Sequence, residues 1–116
     1  MPIMDNWSLQ KKNNGEWHEY YLLKDGQSVA YAKWRIVDGH AELHNSAENT
    51  SKSLLIKTRE IFNHEIKSDM RAKGVDVVVV CDLLNNVDRI RRHYWRFMGF
   101  DYFCETQGYA CAVMEV

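Results

Sequence analysis

The chain of 116 residues carries 15 lysines and arginines against 16 acidic residues, with a formal net charge of −1. This length allows one domain with one core, and the near-neutral charge argues against bulk attraction to nucleic acid or membrane surfaces. Hydrophobic residues make up 46% of the chain and aromatic residues 12%, which excludes an intrinsically disordered protein. No apolar run approaches the roughly 20 residues that span a bilayer, and residues 1–17 lack the apolar segment of a signal peptide. We therefore expect a cytoplasmic protein that does not enter the membrane.

The three cysteines, Cys81, Cys104 and Cys111, are odd in number and show no CxxC spacing. Each lies in an apolar, strand-like stretch, which predicts buried free thiols in a reducing compartment. No base can be placed beside any of them from the sequence, so none is predicted to be a nucleophile.

The first half of the domain is predicted to be an antiparallel meander. Two Asp-Gly pairs, at 25–26 and 38–39, separate three runs rich in β-forming residues. Because glycine adopts positive φ without steric cost, such pairs are strong hairpin signals. The runs cover residues 16–24, 27–37 and 40–45.

A long helix is predicted after the polar connection at 46–53. Thr50 or Ser51 is suited to cap its start, and it should end near Lys73 with Gly74 at the C′ position. Its apolar residues recur at helical spacing and mark a buried face. They are Leu54, Leu55, Thr58, Ile61, Phe62, Ile66 and Met70.

The second half alternates strands with helices. Residues 75–81 form a β-branched apolar run, which predicts a central strand covered on both faces. A helix should follow over 87–98 and stop at Gly99, and residues 101–116 hold two more strand-like runs. Five residues of this helix share one arc and should face the core. They are Val87, Ile90, Tyr94, Phe97 and Met98.

These elements predict an α/β protein with a mixed sheet in the order βββ-α-β-α-ββ. Residues 1–15 are polar and are expected to be an irregular segment, while residues 16–116 form the single domain. The order, together with the run RRHYWRFMGF that ends in Met98-Gly99-Phe100, resembles the GCN5-related N-acetyltransferase (GNAT) superfamily. The resemblance covers about residues 16–116. It implies the GNAT fold without the usual N-terminal helices, and its small size is similar to short GNAT-like proteins of bacteriophages.

The resemblance implies an acetyl-CoA site. In that family two parallel strands splay apart around the pantetheine arm, and the pyrophosphate sits on N–H groups at the start of the long helix. By position, that role falls here on residues 49–53. The family's loop is rich in glycine, whereas residues 47–53 contain none. The alternative is an ordinary capped helix start. The residues named for cofactor binding are Asn49, Thr50, Ser51, Lys52 and Ser53.

The resemblance also implies an acid that protonates the leaving thiolate, often a tyrosine four residues before the glycine. Trp95 stands there, and an indole N–H cannot act as a general acid near neutral pH. Tyr94 is one residue away, about 100° around the helix, and is a poor substitute.

A carboxylate on the last strand of the meander often deprotonates the acceptor amine in that family. His40, Glu42 and His44 alternate on one face of this strand. Glu42 is the first candidate base and His44 the second. The alternative is a polar strand face in contact with water, and no metal site is predicted because three or four ligands cannot be assembled.

Arg89, Arg92 and Arg96 fall opposite the apolar arc of the second helix. Arginine favours carboxylate and phosphate partners, so this face is a candidate surface for an acidic protein, a nucleic acid or the phosphates of CoA. The alternative is an ordinary solvated helix face.

Two functions remain open. The first is a degenerate GNAT-fold protein with weak or lost acetyl transfer that acts by binding a macromolecular partner, since the glycine loop and the tyrosine acid are absent. The second is an acetyl-CoA-dependent N-acetyltransferase with an atypical pyrophosphate loop, in which positioning and backbone donors carry most of the catalysis.

Overall fold

The computed structural model of the protein describes residues 6–47 and 51–116, apart from the side chains of residues 46 and 47. The described residues form one seven-stranded sheet in the order β1-β2-β3-β4-β5-β7-β6. Its strands are β1 (Trp7–Asn14), β2 (Trp17–Lys24), β3 (Gln27–Val37), β4 (His40–Ala47), β5 (Val77–Leu83), β6 (Tyr102–Thr106) and β7 (Tyr109–Glu115). β4 and β5 run parallel, and every other neighbouring pair is antiparallel.

The helices lie between the strands, as predicted. They are α1 (Lys52–Ile61), α2 (Lys67–Ala72) and α3 (Arg89–Met98), with a π-helical segment (Phe62–Ile66) joining the first two and a 3₁₀ turn (Leu84–Asn86) before the third. None of these described helices combines the length and the apolar character that crossing a bilayer requires.

The first strand corrects the prediction of an irregular segment at residues 1–15. Trp7–Asn14 pairs with all of β2, and Gly15 turns the chain between them with a φ of +62°. β1 lies at the edge of the sheet, and most of its side chains are exposed. Trp7 and Leu9 alternate with exposed residues and pack against the core, whereas residues 10–14 are all exposed. Backbone hydrogen bonds to β2, rather than burial, hold this second half in place. The meander has four strands instead of three.

The two Asp-Gly hairpins are confirmed. Asp25 and Gly26 have φ values of +52° and +82°, and Asp38 and Gly39 have +50° and +83°. Positive φ at both central residues is the type I′ geometry, whose twist matches that of the flanking strands. The local sequence therefore sets the register of β2, β3 and β4.

The long helix is confirmed at both ends but not in its middle. Ser51 caps its start, and Gly74 follows its end with a φ of +79°. Between α1 and α2 the N–H of Lys67 donates to the carbonyl of Phe62, which widens one turn into a π-helix. The turn keeps Phe62 and Ile66 buried against the sheet, although the spacing of the apolar residues does not reveal it.

The prediction that 75–81 is covered on both faces is wrong. Val78 and Val80 are 0% and 3% exposed, whereas Cys81, which points the other way, is exposed. The reason is that α1, α2 and α3 pack on the same side of the sheet. The rings of Phe62 and Phe100 stack across this layer with centroids 6.0 Å apart.

The sheet therefore has a covered face, which the helices bury, and an open face, over which the described residues place no helix. Residues of the covered face include Tyr20, Leu22, Ala30, Trp34, Ala41, Leu43, Val78, Val80, Ala112 and Met114. Residues of the open face include Trp17, Tyr21, Tyr31, Lys33, Arg35, Glu42, His44, Val79, Cys81, Cys104 and Cys111.

Two details of α3 differ from the predicted arc. Ile90 is 78% exposed, and Trp95, which the arc left out, is 3% exposed. The packed side of the helix is centred on Trp95 and Met98, about one residue later than predicted. Since each residue turns a helix by about 100°, Ile90 lies about 140° around the axis from Trp95 and faces outward. The stop at Gly99 is confirmed by its φ of +112°.

The prediction of three buried free thiols is wrong for two of them. Cys81 and Cys111 occupy directly opposite positions on β5 and β7 and are joined by a disulfide. Their Cα atoms are 4.2 Å apart, which brings two cysteines on one face of the sheet within bonding reach. Cys104 is free and half-buried. A row of opposed positions depends on strand pairing, which the linear sequence does not specify.

Candidate functional site

The parallel strands β4 and β5 separate soon after they meet. They pair only where Ala41 opposes Val78 and Glu42 opposes Val79. Beyond this point β4 continues beside β3 and β5 continues beside β7. The separation opens the sheet toward the carboxyl ends of both strands, where ligands collect in open α/β sheets. Along its edges, backbone groups of one strand no longer bond to the other.

The start of α1 follows the carboxyl end of β4. The N–H of Leu54 donates to the side chain of Ser51 at 3.3 Å, and the N–H of Leu55 donates to its carbonyl at 3.0 Å. The N–H groups of Lys52 and Ser53 belong to the first turn, which has no intrahelical acceptors for them. The expected capped helix start is thus confirmed, and it leaves an electropositive end. Asn49 and Thr50 lie outside the described residues.

Tyr94 contacts the diverging part of β4. The side chain of Asn45 donates a hydrogen bond to the Tyr94 hydroxyl at 3.0 Å, and burial raises the pKa of that hydroxyl. Trp95 instead packs into the core at 3% exposure. The structure therefore places the tyrosine, and not the tryptophan, beside the opening. An apolar cavity borders Asn45 and Tyr94 and is lined also by Leu43, Thr58 and Met98.

Asn45 is a site residue that the sequence reasoning missed. It occupies the covered face of β4, after Ala41 and Leu43 in the same alternation. The sequence did contain a signal for this residue, because a polar side chain at a position that alternates with buried apolar ones requires a hydrogen-bond partner.

Glu42 and His44 meet on the open face at the point of divergence. The Nε2 atom of His44 lies 2.7 Å from Oε1 of Glu42, and the Arg35 guanidinium lies 3.3 Å from Oε2. The hydrogen bond from His44, and then the charge of Arg35, hold the pKa of the Glu42 carboxyl below its ordinary value. The rings of His44 and Trp17 also pack edge to face, with centroids 5.4 Å apart. The sequence-predicted pair thus forms one hydrogen-bonded unit.

The arginines of α3 are largely engaged within the chain. Arg92 donates to Glu105 at 2.9 Å, and the Arg96 guanidinium lies 4.8 Å from the centre of the Phe103 ring. Both contacts tie α3 to β6. Arg89 is exposed and forms no ion pair within the described part of the chain. Of the three arginines predicted to bind a partner, Arg89 is the one whose guanidinium has no partner among these contacts.

Comparison with known proteins shows which solved structures share this architecture. No family model matches the sequence, and no curated protein matches it. Among solved structures, a GNAT family acetyltransferase from Elizabethkingia anophelis with acetyl-CoA bound superposes with a TM-score of 0.70 at 10% identity, covering 97% of this chain and 100% of the other. The N-acetyltransferase PseH of Campylobacter jejuni, in complex with acetyl coenzyme A, gives 0.63 at 13% identity, covering 88% and 70%.

The ribosomal-protein-S18-alanine N-acetyltransferase of Escherichia coli also matches, with a TM-score of 0.63 at 15% identity, covering 89% of this chain and 71% of that one. At these identities the likeness concerns the fold. The chain has the GNAT fold, with the mixed sheet expected from its sequence and without N-terminal helices in the described residues. The Elizabethkingia anophelis structure is matched over its full length, so the fold exists at this compact size in a protein that holds acetyl-CoA.

Proposed function

We propose that the protein binds acetyl-CoA in the opening between β4 and β5 and transfers the acetyl group to an amine. The observation that carries this proposal is the divergence of the two strands after Glu42 and Val79, with α1 beginning at the same end of the sheet. Solved structures of this fold contain acetyl-CoA or coenzyme A. When bound, acetyl-CoA supplies the acetyl group as a thioester. Because acetyl-CoA is used inside the cell, the proposal places the protein in the cytoplasm.

The residues at the start of α1 fit a pyrophosphate. The N–H groups of Lys52 and Ser53 are free of intrahelical bonds, and the helix end favours negative charge. The hydroxyls of Ser51 and Ser53 lie 3.3 Å apart, and the Lys52 ammonium adds a cation. We assign the binding of the anion to these three residues, together with Asn49 and Thr50. Hydroxyl and ammonium donors here replace the close backbone approach that glycines allow.

We assign the base to His44 and a positioning role to Glu42. The lowered pKa of Glu42 makes its carboxylate a weak base, but one well suited to accept a hydrogen bond from His44. If Nε2 carries the proton toward Glu42, Nδ1 of the neutral ring holds a lone pair that can take a proton from the acceptor amine. The carboxylate then stabilises the imidazolium that forms. This reverses the order of the two candidates predicted from the sequence.

We assign the acid to Tyr94. Its raised pKa keeps the hydroxyl protonated at neutral pH, and hydrogen bonds with Asn45 and Thr58 hold the hydroxyl beside the opening. A proton donated from Tyr94 to the leaving thiolate would complete the acetyl transfer that His44 begins by taking a proton from the amine. This role belongs to a residue five positions before Gly99 because Trp95, four positions before it, faces the core.

Removal of the base is the sharpest test. With acetyl-CoA and a panel of simple amines that includes spermidine and a free peptide N-terminus, His44→Ala should lower the rate of CoA release about 10²- to 10⁴-fold. Calorimetry should show acetyl-CoA binding unchanged within about twofold, because the anion is assigned to residues 49–53 and not to His44. The matched control is His64→Ala, which removes an exposed histidine of the long helix. The proposal fails if acetyl-CoA at millimolar concentration does not bind the wild-type protein.

A second candidate function is the binding of a macromolecular partner with weak or lost transfer. It is favoured by the burial of Trp95 at the acid position and by the lack of glycine before α1. Arg89, Arg92 and Arg96 would then recognise an acidic protein or a nucleic acid. Calorimetry without any heat from acetyl-CoA, together with oligonucleotide or polyglutamate binding that the triple arginine-to-alanine variant loses, would favour this candidate over the first.

A further inference from the structure

The three cysteines of the chain lie in one row across three neighbouring strands. Cys111 on β7 stands directly opposite Cys81 on β5 and, on its other side, directly opposite Cys104 on β6. Directly opposed residues of antiparallel strands project from the same face of the sheet. We call these residues the cysteine row. It contains every cysteine of the sequence and lies on the open face.

Cys111 is the only member within disulfide reach of both others. The Cα atoms of Cys81 and Cys111 are 4.2 Å apart, the spacing of a non-hydrogen-bonded pair. Backbone groups of one residue point to one neighbour only, so Cys111 and Cys104 form the hydrogen-bonded type of pair, about 5.5 Å apart. Both spacings lie in or near the range that disulfides span. Cys81 and Cys104 are two strands apart, about 9–10 Å, which is too far.

The order of the strands also suits displacement at sulfur. In thiol–disulfide exchange a thiolate attacks one sulfur of the bond and the other sulfur leaves. The attacking and leaving sulfurs take opposite sides of the central one. Cys104 and Cys81 lie on opposite sides of Cys111 because β7 runs between β6 and β5. Across the sheet, the cysteine row therefore places the free thiol, the central sulfur and the leaving sulfur in that spatial order.

We propose that the cysteine row is a thiol–disulfide exchange site in which Cys111 changes partners. Cys104 loses its proton to solvent, and its thiolate attacks Sγ of Cys111. The Cys104–Cys111 bond forms as the Cys81–Cys111 bond breaks, and the electron pair leaves on Cys81, which takes up a proton. One disulfide and one thiol are present before and after the step, so no external oxidant or reductant is needed.

The exchange moves the free thiol from the edge of the sheet to its centre. Cys104 is half-buried on β6, the edge strand, whereas Cys81 is exposed on β5. Cys81 follows Val79 by two residues, and Val79 is the last β5 residue paired with β4. The released thiol thus lies beside the divergence of the strands, on the face that carries Glu42 and His44. Small thiols such as glutathione can reach it there.

Single substitutions separate the two pairings. In a glutathione redox buffer, followed by acid quenching, alkylation with N-ethylmaleimide and peptide mapping, Cys104→Ser should form the Cys81–Cys111 bond. Cys81→Ser should form the Cys104–Cys111 bond instead, and Cys111→Ser, the matched control, should form neither. A Cys81→Ser chain that keeps both remaining thiols free where Cys104→Ser closes would overturn the proposal, as would a Cys81–Cys104 bond in Cys111→Ser.

The exchange itself is tested in the native, oxidised wild-type chain. N-ethylmaleimide should slowly alkylate Cys81 in a fraction of the molecules. In those molecules the mapped disulfide should be Cys104–Cys111. The Cys104→Ser chain, treated in the same way, should give no alkylated Cys81. Alkylation of Cys104 alone in the wild type would mean that the pairing is fixed and the proposal is wrong. Circular dichroism confirms the fold of each variant, and Cys81→Ala replaces Cys81→Ser if the latter unfolds.

Discussion

The two faces of the sheet differ in what they contribute. On the covered face, side chains such as Trp34, Val78 and Ala112 are 0% exposed and pack beneath α1, α2 and α3. On the open face, Glu42 and His44 form a charged unit, and the cysteine row carries the only sulfur bond among the described residues. Because strand side chains alternate between faces, one strand such as β4 serves both roles at once.

This division separates most of the stability from part of the chemistry. Burial of apolar area beneath the helices supplies the free energy of folding, whereas Glu42, His44 and the cysteine row lie on the open face, and the proposed acid Tyr94 contacts Asn45 on the covered face. A substitution on one face can therefore be matched by the same substitution on the other.

The largest effect is expected from the two tryptophans. Trp34 is buried on the covered face and donates from Nε1 to the Tyr20 hydroxyl at 3.0 Å. Trp34→Ala should lower the free energy of unfolding by about 3–5 kcal/mol, since it leaves a large cavity. Trp17→Ala on the open face should cost about 1 kcal/mol, through the lost contacts with Lys33 and Arg35. Urea denaturation measures both, and equal losses would refute the contrast between the faces.

The disulfide is the exception through which the open face contributes to stability. It closes a loop with a sequence separation of 30 residues, which restricts the unfolded chain and should be worth about 2–4 kcal/mol. Dithiothreitol should therefore lower the denaturation midpoint of Cys104→Ser, whose pairing is fixed. Cys111→Ser, which cannot pair, should show no response to the reductant. A response of equal size in Cys111→Ser would show that the reductant acts elsewhere.

Two glycines test how closely the covered face is packed. Gly99 has a φ of +112°, and a Cβ there would lie 3.1 Å from Cε of Met114 on the covered face. Gly108, with a φ of +83°, has nothing within 4 Å of that position. Both alanine substitutions pay about 1–2 kcal/mol for the left-handed backbone. Thermal unfolding should show the larger loss for Gly99→Ala, because Met114 must also move, and a larger loss for Gly108→Ala would contradict this packing.

The smallest effect is a pH dependence on the covered side. Burial, and then the charge of Lys73, lower the pKa of His18, which stacks on Trp34. The unfolded chain binds a proton at this residue more readily than the folded one, so the free energy of unfolding increases with pH between the lowered pKa and pH 6.5. The contribution of His18 to stability should be fully present above pH 6.5 and fall as the pH drops toward the lowered pKa. Urea midpoints between pH 7 and 5.5 should fall less in His18→Gln than in the wild type. Equal slopes in the two proteins would show that His18 does not contribute to this pH dependence.

The sequence determined the elements whose signals are local. The Asp-Gly pairs at 25–26 and 38–39 fixed two hairpins because few backbone conformations suit them. Ser51 and Gly99 marked helix ends through capping chemistry, and the spacing of Phe62, Ile66 and Met70 marked a buried helix face. The same signals placed Glu42 and His44 on one face of a strand, and that part of the candidate site needed no tertiary information.

The tertiary structure decided what depends on partners distant in sequence. The polar half of β1, residues 10–14, forms a strand because β2 supplies backbone hydrogen bonds, which the exposed side chains do not indicate. β5 is covered on one face only because all helices pack on the same side, which no local pattern of valines records. Asn45 reaches Tyr94 across 49 residues, and Cys81 meets Cys111 across 30. Pairing, layering and strand divergence are properties of the whole chain, because each is set by where separate elements find their burial and their hydrogen bonds.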